Sequence, residues 1–295
     1  LKNVWNYINF VKHLMSNKNE KIGVGIVTCN RKDYFLGCVN SIDTSSTDCV
    51  VVVNDGKEYT DIKLNDKIVY IQNEKNLGVA KSKNKVMKHL FSEGCDYIFI
   101  IEDDMAIKDQ TVFQQYIEAC KATGIQHFNY GPGSPFNRKQ TIQNFDLHNR
   151  HLLDEETEPN PRLVIDYKTC KIALYTHIAG TFSFFTRKVL DQVGFIDESF
   201  VNAWEHVDHT YQIIQAKHHP PFWWFADIYN SHFFIEPQKG SIENSTTAKN
   251  TNEWMTNVQK NAEIYKIKNG HYPAQTPLTS EEELVNILKQ IKQNI

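Results

Sequence analysis

Long hydrophobic runs are missing from this 295-residue chain, and with them any segment of the length a membrane-crossing helix needs. The strongest apolar stretch, Tyr97-Ile-Phe-Ile-Ile101, is only strand length. A dominant charge is missing too. The 32 basic and 35 acidic side chains leave a formal net charge of -3, which gives no basis for a surface that coats nucleic acid. Six cysteines, at 29, 38, 49, 95, 120 and 170, lack the paired spacing of a zinc site. No secretion-signal pattern is recognisable, so reduced thiols and a cytoplasmic location are the expectation. The chain opens on Leu1, which leaves a neighbouring domain or peripheral association with the inner membrane face open. Internal repeats are also absent. What the chain has is core material: 41% hydrophobic residues, with 17 Phe, 13 Tyr and 5 Trp, which excludes a disordered chain.

Apolar runs without polar alternation recur at 21–27, 49–53, 68–71 and 97–101, separated by helical periodicity at 34–39 and 78–92. That pattern predicts an α/β fold with a mostly parallel sheet covered by helices on both faces. A leading amphipathic helix is expected over 2–16. Polar corners follow three of the strands, at Thr28-Cys29-Asn30-Arg31, Asn54-Asp55-Gly56 and Glu102-Asp103-Asp104. In such a sheet the strands' carboxyl ends share one edge, so the three corners should meet in one cleft. Beyond residue 130 the pattern becomes irregular. Residues 131–161 read as a flap, 175–185 as strand material broken at Gly180, 203–217 as a helix and Phe222–Phe225 as a strand. Two terminal helices are expected near 252–266 and 280–293.

Acidic groups at a strand end suit a hard cation, which can neutralise a departing diphosphate. Asp104 is the preferred ligand, with Asp103 toward a sugar or ribose and Glu102 supporting the turn; a solvated acidic turn is the plainer reading. Asp55 is suited to accept from a nucleobase N–H, helped by Thr28 and Asn30, although Asn-Asp-Gly alone is more often just a turn. Lys75-Asn76-Leu77-Gly78, with Lys81 and Asn84 on the following turns, suits a phosphate at a helix start or an ordinary cap. A second acidic group, Trp204-Glu205-His206-Val207-Asp208-His209, brings Glu205 and Asp208 to one helix face, where a base could take a proton from an acceptor hydroxyl or where charge is simply solvated. His232 is a candidate metal ligand and His177 a further candidate site residue. Trp223, Trp224 and Tyr229 are suited to sugar stacking or to the core.

Taken in order, Gly23–Arg31, Val51–Gly56, Asn76–Asn84, Ile100–Met105 and Gly194–Phe200 leading into Trp204–Asp208 resemble the GT-A-fold glycosyltransferases, especially the family-2-like class. The resemblance covers most of residues 21–235. It implies a GT-A, Rossmann-like sheet with an acceptor-side subdomain and a helical C-terminal tail. The corresponding division is a helix over 1–20, a nucleotide-sugar-binding half over 21–130, an acceptor-binding and catalytic half over 131–235, and an extension over 236–295. The implied activity moves a sugar from a nucleotide donor, a UDP-sugar first, to a hydroxyl of a glycan or glycoconjugate, with Mn2+ or Mg2+ and inversion. Thr28, Asn30 and Asp55 match the base pocket, Lys81 a basic position after the Asn-x-Gly turn, and Gly180-Thr181 the segment lining the donor sugar. Glu102-Asp103-Asp104 matches the so-called DxD element, with Asp104 at its metal-binding end; His232 resembles a late metal ligand. Two departures matter: Glu102 stands where the first aspartate of a strict DxD falls, and the second acidic motif differs as well. Many inverting relatives carry consecutive Glu-Asp with that aspartate as base, whereas this chain has Glu205-His206. The base is therefore open among Asp208, Glu205 and His206, with a carboxylate preferred. The alternative is a non-catalytic binding module for glycan or nucleotide sugar on the same scaffold.

Overall fold

Four apolar segments form a parallel set in the order β3-β2-β1-β4: β1 (Ile22–Thr28), β2 (Cys49–Asn54), β3 (Ile68–Gln72) and β4 (Tyr97–Glu102). They belong to a computed structural model that describes residues 20–139, 157–241, 244–245 and 251–293. Beyond β4 the sheet continues with β9 (Phe182–Thr186), antiparallel to β4, and then β6 (His127–Asn129). Register follows the pleat, so neighbouring side chains go to opposite faces. Val24, Ile26, Val50, Val52, Phe99 and Ile101 enter one core, while Val27, Val51, Val53, Ile98 and Ile100 enter the other. Both faces are therefore covered, which is why these strands read as unbroken apolar runs.

The first core is closed by α1 (Lys32–Asn40), α3 (Val112–Thr123) and α7 (Glu281–Gln293), the second by α2 (Val79–Ser92) and α4 (Arg187–Val193). Glycine at 25 is needed for the α2 contact, since a Cβ there would lie 1.7 Å from Val86 Cγ1. Two smaller sheets complete the second half. One is antiparallel, with β10 (Phe225–Ile228), β8 (Lys171–Tyr175) and β7 (Leu163–Asp166) in that order; the other pairs β5 (Met105–Ile107) with β11 (Ile235–Pro237). Helices α5 (Glu205–Gln215) and α6 (Thr251–Asn269) pack beside them.

The α/β architecture expected from the sequence is the one observed. Its local departures have physical causes. The strand expected over Phe222–Phe225 begins only at Phe225, because Trp223 adopts φ 72° and Trp224 N–H turns back to Pro221 O. The proposed flap starts as two tight turns, 131–133 and 135–137. Asn137 anchors them by donating to Gly131 O and His177 O, both at 2.8 Å. Residues 140–156 of that flap, and the leading helix expected over 2–16, lie outside the described residues. Among the described residues no helix is long and apolar enough to cross a membrane.

Candidate active site

The three polar corners meet at the carboxyl edge of the parallel strands. Thr28 Oγ1, at the end of β1, donates to Asp103 Oδ2 at 2.6 Å, and Asp55 N–H donates to Thr28 O at 2.8 Å. Asn30 Oδ1 accepts from Lys57 N–H at 2.8 Å. Gly56 is required at that crossing, since a Cβ would stand 2.6 Å from the Asn30 backbone nitrogen. Tyr59 ties the same corner, with its hydroxyl 2.8 Å from Thr28 Oγ1 and accepting from Arg31 N–H at 2.9 Å.

Asp55 is buried and serves the adjoining loop. Its Oδ1 accepts from Asn73 Nδ2 and Leu77 N–H, both at 2.7 Å, and its Oδ2 from Gly78 N–H at 2.8 Å. The carboxylate therefore organises the Asn76-Leu77-Gly78 turn at the start of α2. One acceptor position on Oδ2 is left over.

Two cations face the acidic turn. Arg31 bonds Asp103 Oδ1 through Nη2, which also lies 3.5 Å from Asp104 Oδ2. Lys83, only 3% exposed, reaches Glu102 Oε1 at 2.6 Å and donates to Gly180 O at 2.9 Å. Burial works against both charges, but the carboxylates outweigh it and hold both groups above their ordinary ranges. Burial, followed by the Glu102 charge, pushes Asp104 up to about 7. Burial also raises Asp103, against the pull of Arg31 and Thr28.

Lys83 also links this turn to the second acidic group. Its ammonium stands 3.9 Å from Glu205 Oε1. Glu205 opens α5, and His206 Nδ1 lies 3.1 Å from the same oxygen. Burial opposes ionisation of Glu205, yet His206 and Lys83 together draw its carboxyl down to about 2. Gly180 is packed between them: a Cβ there would be 2.9 Å from Lys83 Nζ and 3.2 Å from His206 Nδ1. Further along that segment, His177 stacks on Phe136 at 4.8 Å and meets the Trp223 ring edge-on at 6.3 Å, which makes an aromatic wall three residues from Gly180.

Other expected residues are engaged differently. Asp208 turns to α6, where it accepts from Lys268 Nζ at 2.7 Å and Asn269 Nδ2 at 3.1 Å. Lys81 is exposed on α2, and the cation in the site is Lys83, two positions on. The charged groups felt by His232 are Arg138, Lys108 and Glu158, rather than the acidic turn. Trp224 is core at 1% exposure, and Tyr229 is a surface residue.

Among the described residues no three His, Cys, Asp or Glu side chains converge as a ligand set. One observation nevertheless fits an ion at the acidic turn: Asp104 Oδ1 is buried without a hydrogen-bond partner. Mg2+ in particular is bound by one or two carboxylates, with water and substrate phosphate supplying the remaining oxygens. Asp104 is suited to that arrangement; His232 Nδ1 is likewise buried without a hydrogen-bond partner.

A family model described as Glycosyl transferase family 2 matches residues 23–194, more than half of the chain. An uncharacterized glycosyltransferase of Acanthamoeba polyphaga mimivirus is 25% identical over 270 residues, covering 87% of this chain and 94% of the relative. Among solved structures, a mannosyltransferase from Pyrobaculum calidifontis in complex with GDP-Man and Mn2+ aligns with a TM-score of 0.41 and 13% identity. That alignment covers 71% of this chain and 59% of the other, less than two thirds of its length. A Bacillus anthracis protein described as a putative glucose-1-phosphate thymidylyltransferase, in complex with a sucrose, aligns at 0.32 with 12% identity over 58% of this chain and 74% of that one. The matched family segment runs from β1 to the glycine that ends α4, and so contains the three corners, Lys83 and Gly180. The chain belongs to glycosyl transferase family 2.

Proposed function

We propose that the chain transfers a sugar from a nucleotide donor, a UDP-sugar first, to a hydroxyl of a glycan or glycoconjugate, with inversion and with Glu205 as the base. The observation that carries this reading is Lys83, one buried ammonium in reach of both Glu102 on the donor side and Glu205 on the acceptor side. The nucleotide lies along the β1, β2 and β4 ends, with Thr28, Asn30 and the free acceptor position of Asp55 near the base. Asp104 would hold a divalent ion, Mn2+ or Mg2+, which supplies charge neutralisation for the leaving diphosphate. Arg31 and Lys83 add fixed positive charge at the same edge.

Glu205 is an anion at working pH, so it can always accept a proton, but with a value near 2 it is a weak base in the resting site. A donor diphosphate that draws Lys83 toward itself removes one of the charges holding that value down. Basicity then rises when the donor is bound and an acceptor hydroxyl stands beside Glu205. The aromatic wall of Phe136, His177 and Trp223 offers a flat apolar face for an acceptor ring.

The test is a donor panel of UDP-glucose, UDP-N-acetylglucosamine, GDP-mannose and dTDP-glucose, scored for nucleotide release and product anomer with Mn2+, with Mg2+ and with chelator. Transfer that chelation abolishes, that Asp104→Ala lowers at least 100-fold and that Glu205→Gln lowers at least 100-fold is expected. Undiminished metal-independent transfer by the Asp104→Ala protein overturns the metal role. Donor binding without transfer or hydrolysis across a broad acceptor panel overturns catalysis.

A further inference from the structure

Glu205 enters α5 from a turn in which Asn202 (φ 54°) and Trp204 (φ 67°) both occupy left-handed backbone. Two such residues within three positions persist only where surrounding contacts hold them. Most of those contacts come from α6, outside the residues matched by the family model. Asn261 is 2% exposed, and its Nδ2 donates to Val201 O at 2.9 Å and to Ala203 O at 2.8 Å, the carbonyls on either side of Asn202. One helical turn earlier, Val258 O accepts from Trp204 Nε1 at 2.9 Å. On the donor side, Asn202 Oδ1 accepts at 3.1 Å from the N–H of Val79, the first residue of α2. That helix carries Lys83, so the turn is fixed between α6 and the helix whose lysine approaches Glu205.

We propose that α6 is a brace for the acceptor wall and that Asn261 is its positioning residue, setting Glu205 against Lys83 through the carbonyls of Val201 and Ala203. This rests on Glu205 being the base. A carboxamide suits the role because its two N–H hydrogens match two carbonyls. An aspartate would set a carboxylate against both oxygens, and a leucine of similar shape leaves both unpaired, that of Ala203 in a buried position. The N–H of Asp208 closes the first turn of α5 onto Trp204 O at 2.8 Å, and Lys268 and Asn269 hold its side chain. The brace therefore grips α5 at its entry and again one turn in.

The test uses the full chain with Asn261→Leu, Trp204→Phe and, as a control on the exposed face of the same helix, Lys260→Ala. Binding of UDP and GDP with Mn2+ is measured beside kcat and KM for whichever of the four panel donors turns over. Asn261→Leu is expected to keep nucleotide affinity and donor KM within twofold while kcat falls 10- to 100-fold. Trp204→Phe, which removes the indole N–H bond and part of the ring packed on the Phe200, Val207 and Tyr265 cluster, falls less, and Lys260→Ala stays at wild-type kcat. Hydrogen exchange should rise in the peptide covering 200–206 and stay unchanged in β4. In a double-mutant cycle, Glu205→Gln with Asn261→Leu should be no slower than Glu205→Gln alone. Losses that multiply, or an Asn261→Leu kcat within twofold of wild type, overturn the proposal and leave the base assignment standing. A Glu205→Gln protein with full turnover removes the base, and the proposal with it. Should Asn261→Leu not fold, Trp204→Phe carries the same cycle, and multiplying losses there overturn the proposal equally.

Discussion

At the scale of single residues, the site turns on Lys83. The sequence pointed to Lys81, the first basic residue after the Asn-Leu-Gly turn, but the two lysines differ in helical phase. Val86, Met87 and Leu90 define the buried apolar stripe of α2, and Lys83 stands three residues before Val86 and four before Met87, so it lies on that stripe. A lysine in the apolar phase of a helix is a legible sign of a buried counter-charge. The same kind of reasoning did not separate Glu205 from Asp208, because they share a face and differ only in what packs against it. Asp208 meets Lys268 and Asn269, some 60 residues further along the chain, which no local pattern reports. Removing one partner of a buried ion pair costs roughly 3–5 kcal/mol, since the charges left behind lose their compensation. Lys83→Met should therefore lower both stability and kcat/KM, the latter at least 100-fold. Lys81→Met should leave both within about twofold. Thermal denaturation and donor turnover of the two variants make the comparison, and equal behaviour would remove Lys83 from its central position.

At the scale of elements, the parallel strands were legible because burial on both faces leaves unbroken apolar runs, and their polar ends were legible as the site's edge. The insertion of β9 between β4 and β6 was not. Phe182–Thr186 reads as a strand, but only the tertiary pairing makes it antiparallel to β4, and it is this pairing that brings Gly180 beside Lys83. The corner contacts were half legible. Asn-Asp-Gly announces a turn; that its glycine also admits the Asn30 backbone is a property of two turns together. Gly56→Ala should then do more than stiffen a loop. Its methyl would meet the Asn30 nitrogen at 2.6 Å and Oδ1 at 2.5 Å, and one of these contacts is with backbone that cannot swing aside. Overpacking of this kind costs about 1–3 kcal/mol. The relief is for the β1 and β2 corners to separate, so nucleotide affinity should fall together with the midpoint of thermal unfolding. Isothermal titration with UDP and GDP checks the first and a melting curve the second. A variant that melts earlier but binds nucleotide normally would show that the corners do not jointly form the base pocket.

At the scale of the whole molecule, the C-terminal helices look in sequence like an extension, and packing makes them part of the main body. Leu284, Leu288 and Ile291 of α7 are buried in the core that also holds Phe99, Phe113 and Tyr116. The turn after α3 is shaped to receive α7: at Gly124 (φ 80°) a Cβ would lie 2.6 Å from Ile291 O. Upstream of α7, Thr279 O accepts from the indole N–H of buried Trp224 at 2.9 Å, and Thr276 O from that of Trp223 at 2.8 Å. Burial of an aliphatic side chain of this size is worth roughly 1.5–3 kcal/mol, so the three together supply on the order of 5–9 kcal/mol. A whole domain has a net stability of only about 5–15 kcal/mol. Deleting residues 278–295 should thus consume most of the margin and expose the apolar side of α3, although every residue of the donor edge is retained. The expected outcome is a chain that loses its cooperative urea transition, binds a hydrophobic dye and no longer binds nucleotide. Leu288→Ala, at about 2–5 kcal/mol, should give an intermediate midpoint with nucleotide binding intact. If the truncated chain instead unfolds cooperatively near the wild-type midpoint, the donor half is self-sufficient and α7 is an accessory to it.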